Sequence, residues 1–423
     1  MSKITNINYL QHNNVVGLHT NSISNCSQPI ITENLQENLI TKNLAFYKKD
    51  KLTIISCLAS YMECFNDKDF LNSIGIKKLY IDTFTNQQYI EMIDSSTKLL
   101  DQKALNNLYL SFSYVTNQIN RLDLTTAINI LSNEHSLDCI ANYFNSLHWD
   151  GKERIKNFFT NYVKTTHKNQ YNELLSYFLF NSIVSRSMAI NKHVKVDTSL
   201  VLLGKKGLGK SSLAKILAIK NEWFTEISFS KMTDARRLMQ GKIVCEIPEL
   251  TGYSRSSIED IKAFMTTSID KWIEKYQTNE TSIIRRSIFI MTSNDLNFLR
   301  ESGDRRFAPV EITNINLNAI KEDLNQLYAE AYTYYLNNRK INYSDLEELI
   351  LREQTQYMQE DPWDEIILKM AEDSKSLKSV DVLNALGIPK ESQGQRHLRR
   401  INSIFERLNF SKIKKQGFYY WRK

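Results

Sequence analysis

The sequence runs to 423 residues, of which 42% are hydrophobic and 11% aromatic. That is chain enough for two to four domains with at least one large core, and it excludes a peptide-sized accessory. The formal net charge of +7 is modest but unevenly placed: residues 390–423 hold ten lysines and arginines against Glu391 and Glu406, a local net of +8 that asks for a polyanionic partner.

Residues 1–45 are rich in Asn, Ser, Thr and Gln and read as a flexible leader. A mostly helical N-terminal domain is expected over 46–187. Both LTIISCLASYMECF and YNELLSYFLFNSIVSRSM space apolar residues at i, i+3, i+4, and no proline falls between Pro29 and Pro248. Beyond Lys195, short apolar runs alternate with helical ones: VDTSLVLLG, SSLAKILA, KIVCEIPEL, IEDIKAFMTT and SIFIMTSN. This alternation predicts an α/β domain with a mostly parallel sheet over 188–345, closing on a helix near 317–338. An acidic linker is expected over 346–375, and 376–423 reads as helix, turn, helix and hairpin, a winged-helix-like module. Cys26, Cys57, Cys64, Cys139 and Cys245 show no C-x-x-C pair and no metal-ligand spacing, and neither an h-region nor a run of about 18 apolar residues occurs. A cytoplasmic protein with free thiols and no membrane contact is expected.

The chemistry concentrates in the α/β part. GKKGLGKS, Gly204 to Ser211, fits G-x-x-x-x-G-K-[ST] after a strand and before a helix, the context that gives a phosphate loop its meaning. Gly204, Gly207 and Gly209 let backbone N–H groups wrap the phosphates of ATP, Lys210 meets them as a point charge, and Ser211 with Ser212 opens a helix whose N-terminus favours the anion. Ser211 would hold Mg²⁺; Lys205 and Lys206 are expected to be solvated. Such a loop needs acids on a neighbouring strand, and KIVCEIPEL offers Glu246 as the metal-side acid and Glu249 as the base for the attacking water. Asn294, at the end of IFIMTSN, is expected to orient that water. Arg305 and Arg306, in GDRRFAP, follow Asn294 too closely in sequence to fold back over their own loop. They are expected to reach the nucleotide of the next protomer in a head-to-tail ring, the competing reading being an ion pair with Asp304 or Glu301.

The sequence resembles the virulence-associated E proteins of phages and mobile genetic islands, which belong with the superfamily 3-like AAA+ helicases. The resemblance is carried by LHWDGKERI (147–155), VLLGKKGLGKSS (201–212), GKIVCEIPEL (241–250), IKAFMTTSIDKW (261–272), FIMTSNDLNFLRESGDRRFAPV (289–310) and LRRINSIFERLNF (398–410), in order over about 275 residues. It implies a P-loop AAA+ ATPase core and a hexameric or similar ring that hydrolyses ATP while moving along DNA, often at a replication origin. It puts the loop roles on Lys210 and Ser211, the acidic roles on Glu246 and Glu249, the sensor role on Asn294 and the finger role on Arg305 or Arg306. The chain departs from its relatives after DKWIEKYQTN, where Lys275 and Tyr276 stand near the place of an Arg and a Pro-Tyr pair.

DNA contacts are expected at two places. KWIEKYQ-TNET-SIIRR reads as a hairpin, with Lys271, Lys275, Arg285 and Arg286 on phosphates of a single strand and Tyr276 stacking a base. In the C-terminal module, Leu398, Ile401, Ile404, Phe405 and Leu408 form one face of a recognition helix, leaving Arg396, Arg399 and Arg400 for double-stranded DNA, with Lys414 and Lys415 on a wing. The reading is an ATP-dependent DNA helicase or replication initiator, with a primase or polymerase as a possible partner. A P-loop switch that controls assembly without unwinding is the alternative. Trp149 of LHWDGKERI is expected to act structurally, as a staple on the core.

Overall fold

The computed structural model describes residues 29–49, 51–165, 170–228, 232–250, 254–273, 280–296, 298–299, 304–339, 343–357, 361–408, 410–415 and 418–422. The chain divides into two compact units, one of residues 1–83 with 87–137 and one of 84–86 with 138–423.

The first unit is built from α1 (Glu33–Thr41), β1 (Ala45–Lys48), β2 (Lys51–Ile54), α2 (Leu58–Asn66), α3 (Lys68–Ser73), β3 (Ile76–Asp82), β4 (Gln87–Met92), β5 (Thr97–Leu99), α4 (Gln102–Ser113) and α5 (Arg121–Glu134). Four of its helices start where the sequence supplies a capping oxygen: Thr32, Asp67, Asp101 and Asn120 each accept the N–H three residues on. Phe112 anchors the core, with the rings of Tyr61, Phe65 and Phe70 at 5.2, 5.3 and 5.3 Å. β1 and β2 form an antiparallel hairpin and β3-β4-β5 an antiparallel meander.

Three expectations are corrected here. The leader reading to residue 45 fails from Glu33, because Leu35 and Leu39, spaced i and i+4, bury one side of α1; residues 1–28 lie outside the described residues. LTIISCLASYMECF is not one helix: its first three residues, LTI, pair within β2, and the helix begins after Cys57. The mostly helical domain over 46–187 is instead a mixed unit ending at Leu137. Residues 138–187 belong to the second unit, where β6 (Val163–Thr165) pairs with a strand of the large sheet and α8 (Gln170–Ser187) lies in its core.

The second unit opens with α6 (Cys139–Asn145), a 3-10 turn Ile155–Asn157, α7 (Phe158–Asn161), β6 and α8. It continues through β7 (Ser199–Leu203), α9 (Lys210–Leu217), β8 (Phe224–Glu226), α10 (Met232–Leu238), β9 (Val244–Ile247), α11 (Arg255–Met265), β10 (Ile269–Ile273), β11 (Glu280–Ile284), β12 (Ile288–Ser293), β13 (Phe307–Ile315) and α12 (Leu317–Leu336). Among the described residues its central sheet has six strands in the order β6-β13-β7-β12-β9-β8, parallel throughout except for the β6 edge. The fold is therefore mixed α/β around a mostly parallel sheet, as expected. Its strands read as unbroken apolar runs because helices cover both faces: Leu200, Leu202 and Ile290 join the core of α8, α9 and α12, while Val201, Leu203, Phe289 and Met291 join that of α11.

The linker reading of 346–375 is also corrected. α13 (Tyr343–Gln354) buries Leu346 and Ile350 in the first of these cores, and Tyr357 enters the second. Asp345 and Glu348 on this helix are exposed and Glu347 and Glu353 half-buried, so charge density hid an i, i+4 apolar pair. α14 (Asp364–Asp373), α15 (Ser379–Ala385), α16 (Gln395–Arg407) and the hairpin β14 (Ser411–Lys415) with β15 (Phe418–Arg422) complete the unit. They close on Ile367, Val382, Ile401, Ile404, Phe405 and Trp421.

Candidate functional site

β7 delivers the chain to the glycine-rich loop and α9 leads it away. Gly204 takes φ +143°, and a Cβ there would lie 2.7 Å from the carbonyl oxygen of Ile312; Gly209, the first cap of α9, takes φ +87°. Both positions demand glycine. Lys205, Lys206 and Gly207 are exposed, as is Ser212. Lys210 is buried, and its Nζ donates to the carbonyls of Gly204 (2.6 Å) and Lys205 (3.0 Å) and to Asn294 Oδ1 (2.9 Å). Burial pulls its pKa below the usual lysine value, against the opposing pull of Glu249 and Glu246.

The acids were expected on a strand next to the loop strand. They are one strand further away: β12 stands between β7 and β9. That insertion has a consequence, because the end of β12 sets Asn294 between loop and acid. Asn294 Nδ2 donates to Glu249 Oε1 at 2.6 Å while its Oδ1 accepts from Lys210, so one amide ties the loop lysine to the strand-end carboxylate. Glu249 itself has φ +50°, a left-handed conformation that a non-glycine residue adopts at some cost and that concentrates at functional positions.

Glu246 is fully buried. Its Oε1 accepts from Ser211 Oγ (2.7 Å) and Thr292 Oγ1 (3.0 Å), while Oε2 has no hydrogen-bond partner among the described residues. Burial raises its pKa above the usual glutamate value, against those two hydroxyls. An orphaned carboxylate oxygen beside a hydroxyl fits a divalent cation. Among the described residues no group of three His, Cys, Asp or Glu could hold one by itself, so the donor set suits magnesium brought in with a ligand's own oxygens. No local sequence signal marks Thr292, because its role as Glu246's second donor depends on strand order.

Arg305 and Arg306 touch none of these groups. Arg305 pairs with Glu347 (2.5 Å) and Asp197 (3.3 Å), beside a cleft of about 260 Å³ lined also by Lys195 and Tyr343. Arg306 pairs with Asp304 at 3.4 Å, and Asp304 also holds Lys262 at 3.0 Å. Glu301 lies outside the described residues.

The hairpin expected from KWIEKYQ-TNET-SIIRR is present as β10 and β11, with Lys271 paired to Glu280 at 3.0 Å. Lys275 and Tyr276 lie outside the described residues. Arg285 and Arg286 do not face a nucleic acid, and that expectation is corrected. Arg285 is buried, bonded to Asp270 and to the carbonyl of Phe264 (2.6 Å), with its guanidinium 4.4 Å from the Phe264 ring centre. Arg286 grips Asp138 (2.6 and 3.1 Å) and the carbonyl of Ser187. Arg285 is committed to the buried Asp270, and Arg286 to Ser187 and Asp138, 99 and 148 residues away.

In the C-terminal module Arg396, Arg399 and Lys414 are exposed, whereas Ile401, Ile404 and Phe405 are buried. Arg400 is committed: it makes two 2.8 Å bonds to Asp361 and lies 3.7 Å from the Trp363 ring centre. The side chain of Lys415 lies outside the described residues.

A mostly parallel sheet with a glycine loop, a buried acid and a bridging amide at the strand ends defines an α/β protein with a polar site at the strands' C-terminal edge. The chain belongs to the virulence-associated protein E-like domain family, whose model matches residues 144–360, just over half of it. Among solved structures it is similar to an apo structure of the NrS-1 C-terminal region (305–718), at 12% identity and TM-score 0.41, covering 86% of this chain and 98% of that one. An A form apo structure of the same region gives 13% identity and TM-score 0.45, covering 84% and 97%. No curated protein matches the chain.

Proposed function

We propose that the chain is a ring-forming, ATP-dependent DNA helicase or replication initiator of a phage or mobile genetic element, with an AAA+ type P-loop core and a winged-helix-like DNA-binding module. The observation that carries this is the linkage from Lys210 through Asn294 to Glu249, beside the Ser211–Glu246 pair. The family match supports the mobile-element setting.

In this reading the loop's N–H groups and Lys210 bind the ATP phosphates, and Lys210 exchanges the Gly204 and Lys205 carbonyls for phosphate oxygens. Ser211, with Glu246 behind it, would hold Mg²⁺, which neutralises phosphate charge when bound. Phosphate entering the loop competes for Lys210, frees one side of the Asn294 amide, and lets Asn294 and Glu249 face the attacking water. Arg305 or Arg306 completes the site of the next protomer. Arg396, Arg399 and Lys414 grip duplex phosphates, and Lys271 faces the displaced strand.

The test is displacement of a labelled strand from a forked duplex, with ATP hydrolysis measured with and without DNA. Wild type is expected to unwind and to hydrolyse faster with DNA, and Lys210→Ala to do neither. DNA-indifferent hydrolysis without unwinding would replace the helicase by a nucleotide switch.

A further inference from the structure

The β1–β2 hairpin of the first unit takes no part in the site above. β2 is anchored, with Thr53 and Ile54 buried, but β1 is exposed from Phe46 onward, and so are Lys49 and Lys51 at the turn. The exposed stretch reads Phe46, Tyr47, Lys48, Lys49 and Lys51, with Phe46 42% and Tyr47 56% exposed. Asp50 lies outside the described residues.

Two features are costly for a hairpin whose only task is to fold. The register puts Lys48 directly opposite Lys51, a like-charge pair across an antiparallel ladder, and Lys49 follows at the turn with φ +49°. Among the described residues none of these lysines forms an ion pair, while nearby Lys42 pairs with Glu63 at 2.6 Å. Lysines alone would suit a guarded sheet edge. The two neighbouring rings do not, since they add exposed apolar surface at the place where charge should repel partners.

A single ligand class reconciles both. Nucleic acid offers phosphates for the lysines and base faces for the rings, and cations interleaved with aromatics are the composition of single-strand binding surfaces. On one face of the hairpin Phe46 stands in line with Lys48 and, across the ladder, Lys51; Tyr47 occupies the other face, its hydroxyl accepting from the Gln36 side-chain amide, which fixes the ring. We propose that this hairpin is a single-stranded DNA contact, with Phe46 or Tyr47 stacking on a base and Lys48, Lys49 and Lys51 on the flanking phosphates.

The experiment uses the full chain without nucleotide, so it does not depend on hydrolysis. A labelled oligo-dT carrying iododeoxyuridine is titrated, photocross-linked and mapped by mass spectrometry. Cross-links are expected at Phe46 or Tyr47. The Lys48→Glu/Lys49→Glu/Lys51→Glu variant should bind at least ten-fold more weakly, with its log–log salt slope reduced by about 2, while the corresponding triple arginine variant binds like wild type. An unchanged melting temperature in the glutamate variant separates lost contact from lost fold. The proposal is overturned by cross-links confined to other regions, by glutamate-variant affinity within two-fold of wild type, or by binding of duplex alone.

Discussion

Glu246 and Glu249 sit three residues apart and live in opposite surroundings. Glu249, at the strand's exit, meets an amide donor; Glu246 is sealed in, with one oxygen accepting two hydrogen bonds and the other without a partner among the described residues. The sign of the consequence follows from proton linkage. Burial raises the folded-state pKa of Glu246 above about 4.5, so the unfolded chain releases its proton first as pH rises. Stability is therefore lost between that ordinary value and the raised one, and the loss persists above it. Glu246→Gln keeps an acceptor for Ser211 and Thr292 without the charge. We expect it to melt higher than wild type at pH 8, by roughly 2 °C for each 1 kcal/mol relieved, with the difference shrinking towards pH 4.5, and to lose ATP hydrolysis. Melting curves against pH check the first part and a phosphate-release assay the second; a variant that melts lower at pH 8 would show that burial of the charged carboxylate is not a net cost. Sequence pattern reached Lys210, Ser211, Glu246 and Asn294 because each belongs to a short motif with a chemical reason. It could not reach the difference between Arg285 and an exposed arginine, since Asp270 and the Phe264 carbonyl meet it only through the fold.

At the scale of elements, LHWDGKERI gains a physical account from α12. His148 and Asp150 trade backbone bonds with the Gln326 side chain, Arg154 pairs with Asp150 and Asp323, and Glu330 accepts the N–H groups of Arg154 (2.7 Å) and Ile155 (3.0 Å) together with the Tyr334 hydroxyl (2.9 Å). Trp149 packs its ring edge-on to Tyr334 at 5.8 Å. Glu330, fully buried, thus serves as a side-chain cap for a turn 176 residues away. Replacing it by leucine strands three donors, each costing about 1–3 kcal/mol. Glu330→Leu should lower the melting temperature by several degrees while leaving hydrolysis at low temperature measurable, whereas Glu330→Gln should cost less. Equal melting of the two would mean water already serves those donors. The sequence made α8, α9, β7, β9 and β12 legible because their apolar runs are long or periodic. It misplaced β2, too short for its period to show, and α13, whose exposed acids outweighed Leu346 and Ile350. Strand order carries no local signal, so the position of β12 between loop and acid was out of reach.

At the scale of the whole molecule, the question is whose nucleotide the arginines serve. Within one chain Arg305 is held at an exposed cleft by Asp197 and Glu347, and it forms no bond to Lys210, Ser211 or Glu249. On the proposed reading, that cation would complete a site on another copy, and a surface patch that meets a different patch on its neighbour would build a head-to-tail ring. Mixing separates this from a purely structural ion pair. In an equal mixture of Lys210→Ala and Arg305→Ala chains, an interface is intact when the loop comes from the arginine variant and the arginine from the lysine variant, which random assembly produces at about a quarter of interfaces. Hydrolysis should then return to roughly a quarter of the wild-type rate if interfaces act independently, although each variant alone is inactive. If Arg305 only pins α13 to the sheet, its variant will melt lower and the mixture will show no activity beyond the sum of its parts.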